Sequence, residues 1–264
     1  MKILDGKELA DFIKERQAAE IRGLARKPKL LILRDSDNPV IEKYVKLKIA
    51  YGEDIGAVVE EKLVKSDDEL AEAIKTANAD TTIDGIILQL PIKNKDITDE
   101  ITALIAPEKD VDGLSGHGAF DSATATAIIW LLAGYDIKLE GRKIAVVGRG
   151  KLVGAPLFKM WTNSHLDVEL FHRGSDLTKL SECDIIVSAT GSPNLILSEY
   201  VKPGAVVVDA GTASEKGILV GDLDESVRNR EDLTALTPKY GGVGPLTVTC
   251  LFDHLIEAAK KSQN

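Results

Sequence analysis

Runs rich in Ile, Val and Leu alternate with stretches of helix-like apolar spacing through most of the chain, and this alternation restricts the fold more than any other feature. Strand-forming runs fall at 29–34, 57–63, 85–90, 143–147, 168–171, 184–188 and 205–209, and helical spacing at 5–21, 40–51, 67–77 and 151–162. A parallel strand pair needs a crossover long enough for a helix, so this order predicts parallel α/β architecture. Several of the runs are apolar throughout, as strands covered on both faces are. Both periodicities lapse at Gly113-Leu-Ser-Gly-His-Gly, which places a boundary between two lobes there. The expected division is 1–120, 121–245 and a terminal helix within 246–264, which periodicity assigns to neither lobe.

At 264 residues and 44% hydrophobic content the chain can bury two substantial cores. Its 42 acidic residues against 33 basic give a formal charge of −9, and no Lys/Arg block stands out, which argues against nucleic acid as a partner. No apolar stretch approaches the roughly 18 residues of a membrane span, and MKILDGKEL lacks the apolar core of a secretion signal. A soluble cytoplasmic protein is therefore expected. Cys183 and Cys250 show no metal-ligand spacing and read as small buried hydrophobes, and the four histidines form no metal-holding motif. No metal is expected.

The segment Lys143-Ile-Ala-Val-Val-Gly-Arg-Gly-Lys-Leu-Val-Gly-Ala-Pro runs from an apolar strand through a glycine-rich turn into a helix, the context of dinucleotide binding. Gly148 permits a tight turn and Gly150 a close approach of backbone to pyrophosphate. A helix beginning near Leu152 aims its amides at the phosphates. The spacing GxGxxxG, with Gly154 last, is one residue longer than the usual fingerprint, and a merely tight βα turn has the same appearance. The next strand ends Phe171-His172-Arg173-Gly174-Ser175, with a cation where an NAD site usually has a carboxylate. Arg173 and Arg149 are thus either ligands of a 2′-phosphate, favouring NADP, or solvated surface charges.

Tyr44 and Lys48 stand four residues apart on a helix and share a face, which is either a plain surface or the wall of a cleft. The same spacing occurs in short-chain dehydrogenases, but there the glycine loop precedes the pair, and here it follows in another lobe. Gln89 and Pro91 close an apolar strand, where open α/β sheets present ligand-binding groups. Asp112 follows at the lobe boundary. Each feature has a structural reading, an end cap for Gln89 and a turn for Asp-Val-Asp-Gly, but together they converge on one edge of one lobe.

With these residues in view, the chain resembles the bifunctional methylenetetrahydrofolate dehydrogenase/cyclohydrolase family over nearly its whole length. The matching motifs, in order, are Asp5-Gly6-Lys7, Tyr44-Val45 with Lys48, Asp84-Gly85 through Gln89-Leu90-Pro91, and Lys109 to Gly113. Gly148-Arg149, Val153-Gly154-Ala-Pro156, Gly221-Asp222, Thr237-Pro238 and Gly241-Gly-Val-Gly-Pro245-Leu-Thr247 continue the series. Departures from the family pattern are Ile41, Ser122 to Ala125, Gly150 and Lys239-Tyr240.

The resemblance implies an N-terminal folate-binding lobe, a Rossmann-type NADP-binding lobe, a folate cleft between them, and a terminal helix returning to the first lobe. It implies oxidation of 5,10-methylenetetrahydrofolate with NADP, hydrolysis of the methenyl product to 10-formyltetrahydrofolate, and a homodimer joined through the cofactor-binding lobe. Lys48 would serve the hydrolysis, tuned by Gln89, with Tyr44 stacking on the aminobenzoate ring and Asp112 bonding the pterin edge. Leu90, Gly244 and Pro245 would also line the folate. Gly148, Arg149, Gly150, Gly154, His172, Arg173 and Ser175 would hold the cofactor, its nicotinamide end lying near Thr190 and Thr212. Alternatives to this reading are an NAD-dependent dehydrogenase without the hydrolytic activity and a folate-binding protein without turnover.

Overall fold

A computed structural model describes residues 1–263 except 212, 216 and 217, with backbone alone at 213–215, 218 and 219. The first half of the chain forms β1 (Lys2–Ile3), α1 (Gly6–Arg22), β2 (Lys29–Arg34), α2 (Pro39–Ile55), β3 (Val58–Leu63), α3 (Asp67–Ala79), β4 (Gly85–Leu88) and α4 (Thr98–Thr102). Then come α5 (Ala123–Gly134), β5 (Ile144–Val147), α6 (Gly154–Asn163), β6 (Val168–Phe171), β7 (Ile185–Ser188) and β8 (Val206–Asp209). The chain ends with β9 (Ala213–Glu215), β10 (Ile218–Val220), α7 (Glu225–Arg228), β11 (Ala235–Leu236) and α8 (Val243–Ser262). Among the described residues no helix is long and apolar enough to cross a membrane.

Two compact units result. One, here the lysine unit, comprises Asp11–Ala123 with Val248–Asn264. Its sheet has the order β3-β2-β4, all parallel. β4 is buried throughout and β2 at every position but its ends, whereas β3 is an exposed edge whose Glu60, Glu61 and Lys62 discourage further pairing. One side of the sheet packs on α3 through Leu70, Ala73, Ile74 and Ala77. α8 joins this unit through a Gln17 side-chain bond to the Thr249 carbonyl at 2.9 Å and stacking of Phe252 on Tyr51 at 5.1 Å.

The other, the glycine-loop unit, comprises Met1–Ala10 with Thr124–Thr247. Its sheet runs β1-β11-β8-β7-β5-β6 with every pair parallel, while β9 and β10 form a separate antiparallel pair. β5 and β7 are buried throughout, and the core below them gathers Phe171, Leu180, Cys183, Ile186, Ile196 and Leu223.

Residues 1–10 depart from a division at 120, because their backbone is spent on the other lobe's sheet. Lys2 N bonds Thr234 O at 2.8 Å and Leu4 N bonds Leu236 O at 2.9 Å. Gly6 then sits directly on the last glycine run: a Cβ on it would fall 1.8 Å from the Gly242 carbonyl oxygen. The strand expected over 85–90 ends at Leu88, since the ladder carries only one bond further, from Gln89 N to Leu33 O, and Pro91 has no amide hydrogen to continue it. Cys183 and Cys250 are both free and fully buried.

Candidate active site

In the lysine unit β2 is the first strand of its sheet and its successors lie on opposite sides of it, so the chain leaves β2 and β4 at a topological switch point, where open α/β sheets bind ligands. α2 brings the basic group there. Asn38 caps it by accepting from Val40 N at 2.9 Å, Pro39 occupies its first turn, and Ile41, Val45, Gly52 and Ile55 turn inward. Tyr44 and Lys48 follow one another by a turn on the flank of that buried stripe, and both are half-buried. Lys48 Nζ donates to Gln89 Oε1 at 2.8 Å, while Gln89 Nε2 donates to the Leu90 carbonyl at 3.1 Å. The amide is thereby oriented with its oxygen toward the amine.

Asp112 is positioned by its neighbours. Lys109 donates to the Ala77, Asn78 and Asp80 carbonyls at 2.9, 2.9 and 2.7 Å, closing the last turn of α3, and Asp110 accepts from Ser115 N at 2.8 Å and Leu114 N at 3.2 Å. His254 Nδ1 reaches the Val111 carbonyl at 2.9 Å. The Asp112 carboxylate itself makes no hydrogen bond among the described residues, and it lies within electrostatic reach of Lys48. Burial pushes the Lys48 amine below the ordinary lysine value, with Asp112 opposing, and pushes the Asp112 carboxyl up, with Lys48 opposing and Asp110 reinforcing. Burial also raises Tyr44. An amine held toward its neutral form beside an acceptor amide can take and return a proton.

In the glycine-loop unit β5 likewise has β6 on one side and β7 on the other. Gly148 follows β5 with φ +107°, and a Cβ there would stand 2.5 Å from the Ala189 carbonyl oxygen, so the turn requires glycine. Gly154 packs as closely on Gly148, where a Cβ would meet its carbonyl oxygen at 1.9 Å. α6 starts at Gly154 rather than near Leu152, because residues 151–153 form a turn in which Ala155 N returns to Gly150 O at 3.1 Å. Gly150 differs from both: no heavy atom lies within 4 Å of a Cβ built on it.

After β6, His172 N bonds Ser175 Oγ at 3.0 Å and Ser175 N bonds the His172 carbonyl at 2.8 Å, which turns the chain so that Arg173 stands at its apex. Arg149 and Arg173 are exposed and pair with no carboxylate among the described residues. Glycine backbone open to the outside and two unpaired guanidinium groups at neighbouring strand ends fit a dinucleotide carrying an additional phosphate.

Thr190 is held by its backbone, N to Asp222 Oδ2 at 2.7 Å. Thr212 lies outside the described residues. Gly244 and Pro245 fall in the first turn of α8. Sequence reasoning assigned no site role to Ser188, Asp209 or Thr237, whose side chains are buried at the strand ends: Ser188 Oγ donates to Asp222 Oδ2 at 2.7 Å, and Asp209 N donates to Thr237 Oγ1 at 2.9 Å. Gly221-Asp222 and Thr237-Pro238 were visible as motifs, but their partners become adjacent only when β7, β8 and β11 align.

The chain matches two domain families end to end: the tetrahydrofolate dehydrogenase/cyclohydrolase catalytic domain over residues 4–112 and the corresponding NAD(P)-binding domain over 122–263. It is 37% identical to a bifunctional protein FolD of a Hydrogenobaculum species, covering 99% of each chain. Its structure is similar to that of the bifunctional enzyme FolD from Campylobacter jejuni, at 32% identity, TM-score 0.91 and 99% coverage of both chains. It is also similar to the FolD of Trypanosoma brucei complexed with NADP cofactor and inhibitor, at 27% identity, TM-score 0.91 and coverage of 98% and 97%. The two matched domains, full-length relatives and the paired strand-end sites agree, and the chain belongs to the tetrahydrofolate dehydrogenase/cyclohydrolase family.

Proposed function

We infer that this protein oxidises 5,10-methylenetetrahydrofolate to the 5,10-methenyl form with NADP and hydrolyses that product to 10-formyltetrahydrofolate. The observation that carries the reading is the Lys48–Gln89 pair, a half-buried lysine whose amine lies 2.8 Å from an oriented amide, in a chain that also retains the glycine loop and two arginines that pair with no carboxylate among the described residues.

In the hydrolysis a water oxygen adds to the methenyl carbon, and Lys48 takes the proton that the water gives up. Collapse of the adduct breaks the carbon–N5 bond and forms the formyl carbonyl: N5 takes the proton held by the amine, and the hydroxyl proton of the adduct passes to the freed amine and on to solvent, the one proton that the overall reaction releases. Gln89 holds Nζ in place and favours a lone pair directed away from its own oxygen. Asp112, whose carboxylate makes no hydrogen bond among the described residues, accepts two N–H groups of the pterin edge, and Tyr44 offers its ring to the aminobenzoate. Leu90, next to Gln89 in the same unit, adds to the folate contacts.

Bound NADP supplies the hydride acceptor of the oxidation. Gly148, Gly150 and Gly154 would hold its pyrophosphate, Arg149, Arg173, His172 and Ser175 its 2′-phosphate, and Thr190 its nicotinamide end, with Thr212, outside the described residues, expected there as well. The protein's task in that step is orientation, with no covalent intermediate. The family resemblance supports a homodimer joined through the glycine-loop unit and a cytoplasmic location. Purified protein with 5,10-methylenetetrahydrofolate and NADP should form NADPH promptly with little methenyl accumulation. Accumulating methenyl would overturn the hydrolytic role, and faster reduction of NAD would overturn the cofactor assignment.

A further inference from the structure

Two buried carboxylates meet at the C-terminal ends of β7 and β8. Asp209, closing β8, accepts from Gly211 N and Asp222 N at 3.1 Å, from Leu223 N at 3.3 Å, and from the Arg228 guanidinium. Asp222, fully buried, accepts on Oδ2 from Ser188 Oγ and Thr190 N, each at 2.7 Å. Its other oxygen, Oδ1, is buried without a hydrogen-bond partner among the described residues. That oxygen faces Gly211: a Cβ there would lie 2.0 Å from it.

The bonds Asp222 makes do not by themselves require an acid, since an asparagine oxygen can accept from the same two donors. What the acid adds is charge and an unsatisfied oxygen, a cost that calls for an explanation. Among the described residues, two carboxylates against one guanidinium leave an excess negative charge next to Thr190 and Gly211. Burial, foremost, and the charge of Asp222 push the Asp209 carboxyl up, so the two acids sense one another through a medium that screens poorly. The nicotinamide ring is cationic when oxidised and neutral when reduced.

We propose that Asp222 is a positioning residue of the nicotinamide end, holding the Ser188–Thr190 turn and biasing the site by its charge toward the oxidised form of the cofactor. This rests on the reading of the glycine-loop unit as the NADP-binding domain. The structural part of the role belongs to Oδ2 and the electrostatic part to the buried negative charge, so an isosteric neutral side chain separates them.

The test is binding of NADP⁺, NADPH and 2′,5′-ADP to the wild-type protein and to Asp222→Asn, measured calorimetrically without folate. The substitution should weaken NADP⁺ by about five- to tenfold, NADPH by less than about twofold, and leave 2′,5′-ADP, which has no nicotinamide, unchanged. Equal weakening of NADP⁺ and NADPH, or no change in either, would overturn the proposal. Should Asp222→Asn also lose 2′,5′-ADP, marking a misfolded domain, the wild type decides: NADP⁺ bound at least as tightly as NADPH supports the proposal, and a preference for NADPH overturns it. A wild-type protein that binds none of the three ligands would instead defeat the cofactor reading itself.

Discussion

In the lysine unit the polar groups at the strand ends are left available, whereas in the glycine-loop unit they are mostly consumed by one another. Among the described residues Lys48 has one hydrogen-bond partner, Gln89, and the Asp112 carboxylate has none; both are driven by burial toward their neutral forms. Asp209 and Asp222, by contrast, together accept four backbone amides, a serine hydroxyl and a guanidinium. A site that moves protons needs groups whose protonation can change at little cost. A site that orients a cofactor needs fixed loops, with its charge at the open rim, and that is where Arg149 and Arg173 stand.

The largest expected effect lies in the lysine unit. Lys48→Met should lower methenyl hydrolysis by about 10²–10⁴-fold, the range of a lost general acid–base group, while leaving NADP binding intact. Hydrolysis undiminished in a stopped-flow assay would erase the distinction between the two units. The next effect belongs to the rim of the other unit: Arg173→Ala should weaken NADP relative to NAD by about 1.5–3 kcal/mol, the value of a charged hydrogen bond. Equal loss of both cofactors would reduce that arginine to a surface charge.

A third test compares two glycines within one loop. Gly148→Ala forces a side chain into φ +107° and against the Ala189 carbonyl, and should destabilise the protein by about 1–3 kcal/mol in chemical unfolding. Gly150→Ala meets nothing, so its stability should stay within about 0.5 kcal/mol of wild type and any loss should appear in cofactor affinity alone.

The smallest effect is the pH dependence of stability. Because burial lowers the Lys48 pKa in the folded protein, the unfolded chain binds more protons between that lowered value and the ordinary 10.5. Its contribution to stability therefore rises with pH across that window, by at most about 1.4 kcal/mol per pH unit, and the penalty is fully present below it. Urea midpoints of Lys48→Met relative to wild type should show the variant's advantage shrinking as pH climbs toward 10.5. A pH-independent difference would mean that the amine is not destabilised by burial.

Much of the candidate site was legible before the structure because its groups lie in short local patterns. Tyr44 and Lys48 share a helix face at one-turn spacing, and Gly148 through Gly154 form a contiguous loop. The Lys48–Gln89 bond joins residues 41 apart and needed the switch-point topology of β2 and β4 to become a contact. The Lys109-Asp-Val-Asp run, legible only as a motif, divides in space: Lys109 and Asp110 are spent on the backbone, and only Asp112 remains available.

Local chemistry, readable along the chain, determined the alternation of buried strands with helices, the glycine required after β5, and the cations that take the place of a carboxylate after β6. Burial and long-range pairing were decided by tertiary structure alone. Residues 1–10 belong to the far sheet because a two-residue strand carries no periodicity of its own and takes its place from β11. Ser188, Asp209 and Asp222 likewise become one network only where β7 and β8 end side by side, since a hydrogen bond depends on distance in space and a motif on distance along the chain.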